Sequence, residues 1–117
     1  MRILVCGGPD FRDRDALFAA LDRLHAKTGI DAIIQGAAQG ADQLAAEWGW
    51  TNGIAVCSFP ADWSEHGRKA GAIRNQQMLD EGKPDGVVAF PGGKETADMI
   101  ERARSVGLKV WEPLKTK

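Results

Sequence analysis

Five short apolar runs separated by stretches of helical periodicity constrain this chain more than any other feature. The runs are Arg2 to Cys6, Asp31 to Gln35, Ile54 to Ser58, Asp85 to Phe90 and Leu108 to Glu112, and their length and β-branched content predict strands. The first four are almost continuously apolar, the pattern of parallel strands covered on both faces, whereas Leu108-Lys109-Val110-Trp111 alternates like an edge strand. Between them Leu17, Ala20, Leu21 and Leu24 fall at helical spacing, as do Ala41, Leu44, Ala45 and Trp48, and later Thr96, Met99, Ile100 and Ala103. Asp13 or Asp15 is placed to cap the first helix, and Gly29, Gly53 and Gly107 to end the first, second and fourth. The segment Ala70 to Gly82 is a helix of another kind: Ile73 and Leu79 stand among Arg74, Asn75, Gln76 and Gln77, so one polar face is turned to something. Strand and helix thus alternate from end to end. With right-handed crossovers this order gives a single Rossmann-like three-layer α/β/α domain over residues 1–117. It has a five-stranded parallel sheet of order 3-2-1-4-5 and four helices.

Composition narrows the function. The chain is 44% hydrophobic and 26% charged, enough to bury a core without disulfide or metal. A net charge of -1 disfavours nucleic acid as a partner, since a basic face is its usual footprint. Cys6 and Cys57 belong to no metal-ligand spacing and read as buried reduced thiols; no metal and no cofactor is expected. No apolar run approaches the roughly 20 residues that span a bilayer, and the expected location is the cytoplasm. Ser58, Ser64 and Ser105 have no evident histidine partner; His25 reads as a surface helix residue and His66 as a loop residue.

Glycine-rich loops supply the positive signal. Gly7-Gly8, Gly36-Ala37-Ala38-Gln39-Gly40-Ala41-Asp42 and Pro91-Gly92-Gly93 each follow a strand and lead into a helix, where unpaired N–H groups and a positive dipole end favour an anion. In the order 3-2-1-4-5 the winding reverses between strands one and four. Gly7-Gly8 and Pro91-Gly92-Gly93 then lie side by side at the C-terminal edge of the sheet. Neither G-x-G-x-x-G nor a G-x-x-x-x-G-K-[ST] loop is present, so the phosphate reading rests on three loops meeting at one edge. Arg74, beside Asn75, is the candidate phosphate anchor, and Arg68 and Lys69 lie in the longest connection, Phe59 to Lys69. Several residues keep two readings. Thr96 presents its hydroxyl and N–H to phosphate or caps its helix. Asp42 caps a helix or touches sugar or base, and Asp62 accepts from ribose hydroxyls or caps a turn. Trp63 stacks on a base or closes its loop over the core. Asp10 and Arg12 reach the edge or pair with each other.

The motifs Gly7-Gly8-Pro9-Asp10-Phe11, Gly36 to Asp42, Phe59-Pro60-Ala61-Asp62-Trp63, Ala70 to Met78 and Phe90 to Met99 together resemble the YspA-type, cpYpsA-related branch of the SLOG superfamily, also described as DUF2493. The resemblance covers almost the whole chain. It implies a Rossmann-like fold and kinship with the LOG phosphoribohydrolases once labelled lysine decarboxylases, with DprA-like DNA-binding proteins, and with sensor domains proposed to bind nucleotide-derived signals. The phosphoribohydrolase motif is Pro-Gly-Gly-x-Gly-Thr-x-x-Glu. Pro91, Gly92, Gly93 and Thr96 match it, while Glu95 stands at the second glycine position and Met99 at that of the glutamate. Arg74 looks like the arginine before a methionine in the partner helix of that motif. The expectation is therefore a module that binds a nucleotide or nucleoside phosphate at the C-terminal sheet edge. The alternative is a hydrolase of the nucleotide N-glycosidic bond with Glu95 or Asp10 as its carboxylate, and third comes a DprA-like DNA-binding module, which the charge disfavours. Trp111 and the edge strand are a candidate homodimer surface.

Overall fold

Alternation along β1 decides how the layers assemble. In β1 (Arg2–Cys6), Ile3 and Val5 point to one face of the sheet and Leu4 and Cys6 to the other, so this strand must be covered twice. The computed structural model, which describes residues 1–115, meets that demand with one parallel sheet ordered β3-β2-β1-β4-β5. The other strands are β2 (Ala32–Gln35), β3 (Ala55–Ser58), β4 (Gly86–Ala89) and β5 (Lys109–Trp111). β1 lies at the centre, with Leu4 opposite both Ile34 and Val87.

Helices α1 (Arg14–Thr28) and α2 (Ala41–Thr51) cover the first face, where Leu17, Leu21, Ala45 and Trp48 pack on Ile3, Val5, Ile33 and Val88. Two later helices, α4 (Ala70–Gly82) and α5 (Lys94–Ser105), cover the second with Met78, Met99 and Ala103 against Leu4, Ile34 and Val87. Asp13 caps α1 by accepting from the Ala16 N–H at 3.0 Å. Gly29 is its C-cap. The C-caps of α2 and α5 are Asn52 and Val106, one residue before the expected glycines, and Gly53 and Gly107 follow with positive φ.

Three expectations change. β3 is an edge strand, so it is not covered on both faces: Ala55 and Ser58 are exposed, and Val56 and Cys57 only half-buried. Cys6 is buried as expected, and burial pushes its thiol up to about 12. The connection after β3 is partly helical. It holds α3 (Trp63–His66) and a 3-10 turn (Gly67–Lys69), because Asp62 caps the segment by accepting from the Glu65 N–H at 3.0 Å. His25 is more than a surface residue, since its Nδ1 accepts from the Ile30 N–H at 2.9 Å and its ring meets Trp48 edge-on. Among the described residues no helix is long and apolar enough to cross a membrane.

Candidate functional site

The β1 and β4 loops do meet at the C-terminal edge, and most of their glycines hold them together. The Gly8 N–H donates to the Pro91 carbonyl at 2.8 Å, and the Gly8 carbonyl accepts from Phe11 and Ala41 N–H groups at 3.2 and 3.3 Å. Gly8 is therefore committed to the loops, and its N–H is not directed at a ligand. A Cβ on Gly7 would stand 2.5 Å from that of Ala41, and one on Gly40, whose φ is 77°, would collide with the Gly8 carbonyl. A Cβ on Gly92 would meet the Thr96 hydroxyl. Close packing requires these four glycines.

Gly93 differs. It is the N-cap of α5, no side chain caps the helix there, and a Cβ on it would meet nothing within 4 Å. Pro91, Gly92, Gly93, Lys94 and Glu95 are all exposed, and among the described residues no side chain accepts from the first-turn N–H groups of α5. Thr96 is buried at the third helical position and is not the N-cap. A cavity of about 440 Å³ adjoins this turn, lined by Phe90, Gly92, Gly93, Thr96, Ile100 and Leu114.

Behind the turn lies Arg74, only 6% exposed. α4 inverts the usual pattern here, burying Arg74 and Asn75 while exposing Ile73, so the expected polar face is turned inward. The Arg74 Nη1 donates to the Gly36 carbonyl at 2.6 Å, Nε donates to Asn75 Oδ1 at 3.2 Å, and Nη2 lies 3.5 Å from Glu95. Gly36 is needed for this, because a Cβ there would strike the guanidinium and stand 3.0 Å from the Asp42 Oδ2. Asn75 in turn donates to the Glu95 carbonyl and to Asp98, each at 3.0 Å, and Asp98 pairs with Arg102 at 2.7 Å.

Asp42 completes the buried group. Its Oδ2 accepts from the Ala38 N–H at 3.2 Å, and burial raises its pKa to about 6 against the lowering influence of that bond and of Arg74. It lies in the first turn of α2, whose N-cap is Gly40, so it caps through the preceding loop and not from the N-cap position. That loop is further held by Gln35, whose side chain accepts from the Ala37 N–H and donates to Ser58, while Ala37 adopts a φ of 60°.

Of the residues singled out by sequence, Gly36, Asp42, Arg74, Asn75 and Glu95 form one connected group beside Gly92, Gly93 and Thr96. No hydrogen bond or ion pair among the described residues joins Asp10, Asp62 or Trp63 to it. Asp62 is committed to its cap, and Trp63 is 54% exposed instead of closing over the core. Gln35, Asp98 and Arg102 were missed as supports; the polar content of α4 and α5 hinted at the last two, and Gln35 stands in a strand with no such signal. A larger cavity, about 960 Å³, lies elsewhere, beside the N-terminal ends of β1, β4 and β5, among Leu24, Lys27, Asp85, Val88, Lys109 and Trp111. Its lining is mainly apolar, with Arg23, Lys27, Asp85, Arg104 and Lys109 among the residues around it.

A family model described as YspA, cpYpsA-related SLOG family matches residues 1–66, more than half of the chain. The chain belongs to that family. This SLOG chain is also 35% identical to the Gene 61 protein of Mycobacterium phage D29 over an alignment 117 positions long that covers 93% of each protein. The matched family region contains the loops at Gly7-Gly8 and Gly36 to Asp42; Arg74 and the Pro91-Gly92-Gly93 turn lie beyond it.

Proposed function

We propose that this SLOG-family protein binds a nucleotide or nucleoside phosphate at the C-terminal edge of its sheet, as a recognition or sensor module. The phosphate sits on the first turn of α5, against Gly93 and the N–H groups of Lys94, Glu95 and Thr96, with Arg74 as the counter-charge behind it. Trp63, exposed in the neighbouring connection, is the group left to meet the base, whereas Asp62 stays with its cap and the buried Asp42 supports the loop beneath. The observation that carries this reading is a buried guanidinium placed behind a helix start that has neither a capping side chain nor a side chain at Gly93. Binding is favoured over hydrolysis because Met99 is fully buried in the core and Asp98 is held by Asn75 and Arg102.

Thermal unfolding across a nucleotide panel tests the reading. A ligand at 100 times its dissociation constant stabilises by about 2.7 kcal/mol, and Arg74→Ala should abolish the shift while remaining folded. If neither nucleotides nor phosphate move the midpoint, the reading fails. Incubating the protein with AMP should release no free adenine by chromatography; release that disappears in Glu95→Gln would replace binding by hydrolysis.

A further inference from the structure

Glu95 occupies an unusual seat. Its side chain leaves the first turn of α5 and lies across the start of α4, where a Cβ on Gly71 would collide with its carboxylate. From there it supplies the one ion pair of Arg74 among the described residues; the hydrogen-bond partners of Arg74, the Gly36 carbonyl and the Asn75 amide oxygen, are neutral, and the buried Asp42 carboxylate acts on it from beyond ion-pair distance. The two partners differ in burial: the Arg74 side chain is 7% exposed and that of Glu95 49%. A buried guanidinium is costly without an anion, while a half-hydrated carboxylate at a contact of 3.5 Å is cheap to move away. The Glu95 backbone is separately fixed through its carbonyl by Asn75, so the side chain can swing without disturbing the turn.

We propose that Glu95 is the resident anion of the crevice: it holds the position on Arg74 that a ligand's phosphate takes, and because it must be displaced it restricts the site to ligands with a terminal phosphate monoester. This rests on the phosphate reading given above. The exchange keeps Arg74 paired at every stage. An incoming group must therefore outdo a carboxylate, which a dianionic monoester with three acceptor oxygens does and a monoanionic phosphodiester does not. The displaced carboxylate goes to solvent, away from the like charge of the phosphate.

Two variants separate this claim from a structural role for Glu95. Glu95→Gln removes the competing charge; Gly71→Ala keeps the charge but takes away its seat. Calorimetric titration with AMP and with 3′,5′-cyclic AMP should show the parent preferring AMP. Both variants should bind AMP about five- to tenfold more tightly, and the preference over the cyclic diester should narrow in Glu95→Gln. Equal or weaker AMP binding in both variants, with the parent binding, overturns the proposal and leaves the phosphate reading standing. If neither the parent nor folded Glu95→Gln binds AMP, both fall together.

Discussion

Asp42 is the residue whose environment most clearly works against its charged form. Its pKa rises from the ordinary 3.8 of an aspartate to about 6, chiefly through burial, with Glu95 pushing in the same direction and the Ala38 N–H and Arg74 opposing. A carboxyl with a raised folded pKa holds its proton more firmly than the unfolded chain does. Its contribution to stability is therefore present at low pH and is lost as pH rises from about 4 through about 6. At 1.36 kcal/mol per unit the loss is about 3 kcal/mol. Asp42→Asn, which can still accept from Ala38, should be more stable than the parent at pH 7.5 by up to that amount. In denaturant titrations the gap should close as pH falls toward 4, and a gap independent of pH would contradict this account. The residue scale is also where sequence reading was weakest. That Arg74 needs a partner was legible, because it is a cation among amides in a helix, but Glu95 lies twenty-one positions away and its pairing depends on how α4 and α5 pack. For Trp63 the sequence left two readings, a base-stacking ring or one closed over the core, and its exposure excludes the second.

At the scale of elements, α5 begins without the side-chain cap that α1 and α3 obtain from Asp13 and Asp62. An aspartate N-cap ordinarily stabilises a helix by about 1 kcal/mol, and the space around Gly93 is open to one. Gly93→Asp should therefore leave the unfolding midpoint equal or higher while abolishing the AMP-induced shift, because the new carboxylate takes the anion's place. A variant that keeps the shift would show that the first turn of α5 does not hold phosphate. Strands and amphipathic helices were readable here because burial imposes a period on them, as in Ile3 to Cys6 and in Leu17, Ala20 and Leu21. α4 was harder, since its buried face carries Arg74 and Asn75, and period alone cannot say whether a polar face meets water or a polar cluster. The connection from Phe59 to Lys69 was read as loop because a four-residue helix shows no repeat.

Across the whole molecule, one topological fact organises the rest. The chain reverses its winding between β1 and β4, and this sets the Gly7-Gly8 loop against Pro91-Gly92-Gly93 while α4 carries Arg74 beneath them. The order of strands was legible from the alternation of elements. What the order does not convey is that most glycines at the junction serve the packing of loop on loop, leaving Gly93 and the start of α5 as the open part. It also gives no sign of the larger apolar cavity beside Lys27, Lys109 and Trp111 at the other end of the sheet. These two concavities make competing claims on a ligand. Amide chemical-shift mapping by NMR during titration with AMP decides between them. Saturable shifts should concentrate at Gly93, Lys94, Glu95 and Thr96 and at the Arg74 side-chain Nε–H. Shifts confined to the surroundings of Trp111, or none at any concentration, would contradict the assignment of this crevice.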